Sequence, residues 1–155
     1  TLEVRGAPMI SAVAAAPQAA AAACSAQTLA NIAWAFATLG VRDRPLLTAI
    51  SAASISKMSA FDSQELPNTA WAFATLRMSD RPLFNAISSV ALTTIPQFSP
   101  LGLANLSWSL AQSAFRDLPL LSAIADAASP KILLGQFDSQ NLANTAWAFA
   151  SLLVE

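Results

Sequence analysis

Residues 62 to 76 read Asp62-Ser63-Gln64-Glu65-Leu66-Pro67-Asn68-Thr69-Ala70-Trp71-Ala72-Phe73-Ala74-Thr75-Leu76, and residues 138 to 150 echo them as Asp138-Ser139-Gln140-Asn141-Leu142-Ala143-Asn144-Thr145-Ala146-Trp147-Ala148-Phe149-Ala150. The tryptophans of these stretches are two of four, Trp34, Trp71, Trp108 and Trp147, spaced by 37, 37 and 39 residues. A fixed period of that length marks repetition of one supersecondary unit. Three positions before each Trp stands an Asn (Asn31, Asn68, Asn105, Asn144), and five before it a Leu (Leu29, Leu66, Leu103, Leu142). Eleven after the first three lies a Pro (Pro45, Pro82, Pro119), and by the same offset Pro8 belongs to a preceding unit.

Each unit resolves into two helices. Nine before each Trp is Ser25, Asp62, Ser99 or Asp138, residues whose side-chain oxygens accept from the free N–H groups of a first helical turn. Asp62 to Glu65 has the form of a capping box, and Pro100 suits a first helical position. Helix A then runs to about five residues past the Trp. A loop containing Asp43, Asp80 or Asp117 leads to helix B, which starts near the Pro and carries an apolar stripe such as Leu46, Leu47, Ile50 and Ala53. The two extra residues of the last spacing are expected around Pro130 and Lys131. A pair of this size cannot bury its apolar face alone, so the expected fold is all-α, an αα-solenoid coiled as a right-handed superhelix. Its units would be 1–24 (the second half of a truncated repeat), 25–61, 62–98, 99–137 and 138–155 (a first helix only). Because it starts at Thr1 and stops within patterned sequence, the chain reads as a piece of a longer array whose further repeats are its neighbours.

Composition agrees with a packed helical domain. Of the 155 residues 55% are apolar and 11% charged, which excludes a disordered tail. The formal net charge of −1 advertises no extended basic surface. With no His and one Cys, disulfide frameworks, His/Cys metal sites and Ser-His or Cys-His nucleophiles are all excluded. The carboxylates fall at caps and loops, so the expectation is no enzyme, no cofactor and no metal. Residues Gly6 to Val41 carry no charge, but Pro8, Pro17 and Gln18 interrupt them and Ala dominates, so no membrane span is expected. The four Trp, with Phe36, Phe73, Phe149, Phe61, Phe98 and Phe137, are expected in the core, and Cys24, at the matching Phe position, as a small buried hydrophobe.

The repeated Leu-x-Asn-x-x-Trp-Ala-x-Ala-x-Leu core resembles the octotricopeptide repeat, a family of helical pairs of about 38 residues related in style to the arrays of FAST-kinase-like and RAP-domain proteins. The resemblance covers nearly the whole chain. It implies sequence-specific binding of single-stranded RNA and a place in an organelle, chloroplast or mitochondrion, in RNA processing, stability or translation.

Two sets of residues are candidates for contact with RNA. At 100° per residue the positions seven before, three before, one after and four after the Trp span about 80° of helix A. They read Gln27-Asn31-Ala35-Thr38, Gln64-Asn68-Ala72-Thr75, Leu101-Asn105-Ser109-Gln112 and Gln140-Asn144-Ala148-Ser151. Stacked, they form rows of amides and hydroxyls able to pair with base edges. The invariant Asn has an alternative task in holding a loop or neighbouring helix, and Thr38, Thr75, Gln112 and Ser151 read equally as solvated polar residues. Second, Arg5, Arg42, Arg44, Arg77, Arg81 and Arg116 are six of the eight basic residues and fall between helices A and B. Such a ridge suits phosphates, and its alternative is ordinary ion pairing with the loop aspartates. The rival to RNA is a protein partner held by an armadillo- or HEAT-like scaffold, and a third reading is a structural spacer in a larger complex.

Overall fold

Helix starts are set where the sequence supplies a cap. The structure, a computed structural model, describes residues 17–153, so the expectations for Pro8 to Val13 and for Arg5 lie outside the described residues. Among the described residues eight α-helices follow one another: α1 Pro17–Ala23, α2 Ala26–Leu39, α3 Arg44–Ser56, α4 Glu65–Thr75, α5 Arg81–Thr94, α6 Pro100–Gln112, α7 Leu118–Leu133 and α8 Ser139–Leu153, with 3-10 turns at Met58–Ala60 and Ile95–Gln97. Among the described residues there is no strand. Ser25, Ser99 and Asp138 accept from the N–H groups of Thr28, Gly102 and Asn141. Asp62 accepts from Gln64 and Glu65 while Glu65 accepts from the Asp62 N–H, a complete capping box. The second helix of each pair is capped as well: Asp43, Asp80 and Asp117 accept from Leu46, Leu83 and Leu120, with Pro in the first turn.

Three of the Trp-bearing helices, α2, α4 and α6, end alike. Six residues past the Trp, Gly40, Arg77 and Ala114 adopt φ of 67°, 53° and 48°, and each donates to the carbonyl three back while its successor (Val41, Met78 or Phe115) donates to the carbonyl five back. This left-handed stop satisfies orphan carbonyls and plugs an apolar side chain under the helix end. Only Gly40 is free of a Cβ clash there. Ala114→Gly is therefore expected to stabilise the protein by about 0.5–1 kcal/mol, raising Tm by about 1–4 °C. A thermal melt unchanged or lowered by the substitution would contradict that backbone conformation.

The two extra residues of the last spacing fall within a helix that continues through a proline. Pro130 does not end a helix: α7 runs through it to Leu133, and Gly135 at φ 68° supplies the stop. The two extra residues lengthen α7 to 16 residues, against 13 in α3 and 14 in α5, and replace the 3-10 turn found after those helices. Pro130 removes one backbone hydrogen bond and crowds the carbonyl one turn back, a cost met here within the last four residues of the helix.

Short connections make successive helices antiparallel, so every second helix runs the same way. The Trp-bearing helices α2, α4, α6 and α8 pack in that order on one another, and α1, α3, α5 and α7 do the same in a second layer. This succession is compatible with the expected αα-solenoid. The first layer is close-knit because its contacts are small residues: Ala30, Ala33, Ala70, Ala72, Ala74, Ala104, Ser107 and Ser109 are all buried. A Cβ on Gly102 would stand 3.5 Å from Pro67 Cγ, so α4 and α6 meet closely there. Between the layers Leu29, Leu66, Leu103, Phe73, Phe84, Phe98, Leu47, Ile50, Leu83 and Ile87 are sealed from solvent. In α8, which no helix follows among the described residues, the equivalent Leu142 is 39% exposed.

The tryptophans depart from expectation. Trp34 and Trp147 are 49% and 48% exposed, while Trp71 and Trp108 are half-buried against the edge of the core. None is a core residue. The Phe positions do supply core, at Phe36, Phe61, Phe73, Phe98 and Phe137, with Phe149 only partly covered. Cys24 is likewise half-buried, its Sγ–H donating to Ala20 O.

Candidate nucleic-acid interface

The exposure pattern redraws the stripe on the first layer. Gln27, Gln64, Leu101 and Gln140, seven before the Trp, are all exposed. Asn31 is exposed, while Asn68, Asn105 and Asn144 are half-buried. Four after the Trp, Thr38, Gln112 and Ser151 are exposed, but the Thr75 hydroxyl is shielded and without a partner. One after the Trp, Ala72, Ser109 and Ala148 are buried and Ala35 is half-buried. The fourth member of the exposed line is the Trp itself. Its position on the wheel, at 0° beside members at about 20°, 40° and 60°, makes a line about 60° wide, whereas the position one after it, at about 100°, turns into the neighbouring helix. Ala, Ala, Ser and Ala at that position were the available sign, since small residues in every copy mark close helix approach. Thr75 fails as a base-facing group because its short side chain leaves the hydroxyl shielded, whereas the longer Gln112 at the same position of α6 reaches solvent.

The polar groups along this line differ in how far they are already committed. Thr38 Oγ1 donates to the Trp34 carbonyl, and Ser109 Oγ to the Asn105 carbonyl. Among the described residues no hydrogen bond engages the side-chain amides of Asn31, Asn68, Asn105 or Asn144, nor those of Gln27, Gln64, Gln112 or Gln140. The invariant Asn therefore ties down no loop. Trp34, Gln64, Pro67, Asn68, Leu101 and Asn105, from three successive helices of the layer, border one groove of about 570 Å³ together with Ser63, Gln97, Ser99 and Gly102. No charged side chain lines it.

The arginines take the opposite end of the same helices. Arg42 and Arg116 lie in the connecting segments, Arg77 occupies the left-handed cap of α4, and Arg44 and Arg81 are the first residues of α3 and α5. All five are exposed. Arg44 and Arg77, from adjacent connections, border a common hollow of about 410 Å³ with Asp80 and Pro82. The aspartates expected to neutralise them are engaged as helix caps instead, and Asp117 also accepts from Ser88 Oγ at 2.5 Å. Among the described residues Arg42, Arg44, Arg77 and Arg81 form no ion pair. Arg44 and Arg81 place positive charge at the positive end of a helix dipole, which costs about 0.3–1 kcal/mol each. From Gln64 to Arg77 is 13 residues, about 20 Å along a helix at 1.5 Å per residue. The groove and the arginines are thus separate zones of one face.

Other chemistry is sparse. Among the described residues no group of three or more His, Cys, Asp and Glu is placed to hold a metal ion, and no helix is long and apolar enough to cross a membrane.

The amide-and-indole face and the arginine edge are carried by an all-helical chain of stacked pairs. The chain belongs to the RNA-editing substrate-binding complex 6 protein family, whose model matches residues 2–155. No curated protein matches the chain.

Proposed function

We propose that this chain is a non-enzymatic, sequence-specific binder of single-stranded RNA within an RNA-editing assembly. It is built as a right-handed αα-solenoid of units 25–61, 62–98 and 99–137, with 1–24 and 138–155 as partial units. The observation that carries this reading is Arg42, Arg44, Arg77 and Arg81 without ion pairs among the described residues, two of them held at a cost at helix starts, in a family named for a complex that binds RNA-editing substrates. The likeness to octotricopeptide repeats points the same way. In this reading Arg42, Arg44, Arg77, Arg81 and Arg116 hold phosphates and fix the strand, which carries no sequence information by itself. Gln27, Asn31, Thr38, Gln64, Asn68, Asn105, Gln112, Gln140, Asn144 and Ser151 offer donors and acceptors to bases, and Thr75 contributes its methyl surface. The compartment is an organelle, with the mitochondrion favoured over the chloroplast.

The test is a titration with single-stranded RNA pools at several salt concentrations. Log affinity should fall linearly with log salt, by about 0.7 for each phosphate neutralised. Affinity indifferent to salt would remove the arginines from the mechanism. Replacing Gln112 by Thr should shift preference at one nucleotide with the melt unchanged; an unaltered selection profile would deny the exposed line a reading role. The rival reading, a scaffold gripping an extended peptide, is favoured by the unengaged Asn ladder, and capture of peptide with no RNA binding would establish it.

A further inference from the structure

The groove between α2, α4 and α6 lies short of the arginine edge, with Trp34 and Asn68 eight and nine residues, about 12–14 Å, before Arg42 and Arg77. Trp34 sits on its wall with 49% of its surface open, although Trp is costly to leave in water. Facing it are Gln64, Asn68 and Asn105, each with an amide donor and acceptor free of any partner among the described residues. Pro67 and Gly102 form the floor where α4 and α6 approach closely. A flat aromatic surface ringed by free amides, with no charge, suits a flat group that bears donors and acceptors on its edge and apolar faces above and below.

We propose that this groove takes one unstacked nucleobase of a single-stranded RNA, stacked on the Trp34 indole and paired along its edge with Asn68 and Asn105. The inference rests on the RNA reading above and gives its base-facing amides Gln64, Asn68 and Asn105 a stacking surface in Trp34. An unpaired base has the required shape, and stacking on an aromatic side chain tolerates any base, so Trp34 supplies affinity while the amides supply choice. A peptide backbone could pair with the same amides, but it brings no flat ring to the Trp34 indole in doing so.

The experiment uses the full chain and RNA decamers carrying a single abasic site moved along the strand. Trp34→Ala should weaken binding of the intact decamer by between about 5-fold and 150-fold, and Trp34→Phe by much less, because the ring face remains. At one abasic position the wild-type protein should lose a similar factor, and Trp34→Ala should lose nothing further there. Thermal melts keep the comparison to folded protein, and Trp34→Phe retains the packing if Trp34→Ala does not fold. Wild-type affinity for Trp34→Ala, or equal affinity for every abasic decamer, would overturn the inference. If that happens while arginine substitutions still weaken RNA binding, only the groove assignment fails. If no RNA binds and an extended peptide does, both readings fail.

Discussion

Phe73→Ala is expected to cost about 3–5 kcal/mol of folding stability, against about 1–2 kcal/mol for Trp34→Ala. Phe73 lies between the two helix layers and is sealed from solvent, so its removal leaves a cavity whose walls are held by α4 and its neighbours. Trp34 has the larger side chain, yet half of it is already in water and its removal opens a groove that solvent fills. Total stabilities of single domains are about 5–15 kcal/mol. The Phe73 substitution therefore takes a large share, and in a stack of units the damage passes to adjacent ones through their shared faces. The same contrast applies to the Leu position five before the Trp: Leu66→Ala should cost about 2–5 kcal/mol and Leu142→Ala far less, since only the former is covered. Chemical denaturation of the four variants gives the comparison. Equal losses for Trp34→Ala and Phe73→Ala would return the tryptophans to the core.

Replacing Arg44, Arg77 and Arg81 together by Gln should weaken binding of single-stranded RNA by about 100- to 1,000-fold at moderate salt. The slope of log affinity against log salt should become shallower by about 2, at about 0.7 for each lost phosphate contact. Folding stability should hold or rise. Arg44 and Arg81 oppose the dipoles of α3 and α5, so their removal relieves about 0.3–1 kcal/mol each, and Asp43 and Asp80 remain as caps. A surface ion pair would show the reverse, a small stability loss and no change in binding. Binding curves at three salt concentrations, with a melt of the same preparation, separate the two. An unchanged salt slope would show that these side chains meet no phosphate.

The helices and most of their ends were legible in the sequence because they are set by neighbours along the chain. Ser25, Asp62, Ser99 and Asp138 cap through groups two to three residues on, and a Pro follows each Asp at the start of α3, α5 and α7. The 37-residue period placed equivalent side chains in equivalent surroundings, so Leu29, Leu66 and Leu103 are all buried. Local pattern had less to say about Pro130, where packing of α7 outweighs the missing N–H and the helix continues.

What the tertiary structure alone decided is which way each helix faces. The residue one after the Trp and the Trp itself flank the Gln, Asn and Thr positions on the wheel from opposite sides, at about 100° and 0°, and either can complete the stripe. Only the approach of α2, α4, α6 and α8 through their alanines and serines turns Ala72, Ser109 and Ala148 inward and leaves the indoles on the surface. The loop aspartates were visible as charges, but their capping of the second helices, and hence the absence of ion pairs at four arginines, depends on where the backbone N–H groups point after folding. Periodicity determines that residues share an environment. Whether that environment is core or surface depends on how closely the next helix can come, and this is set by side-chain size on both partners at once.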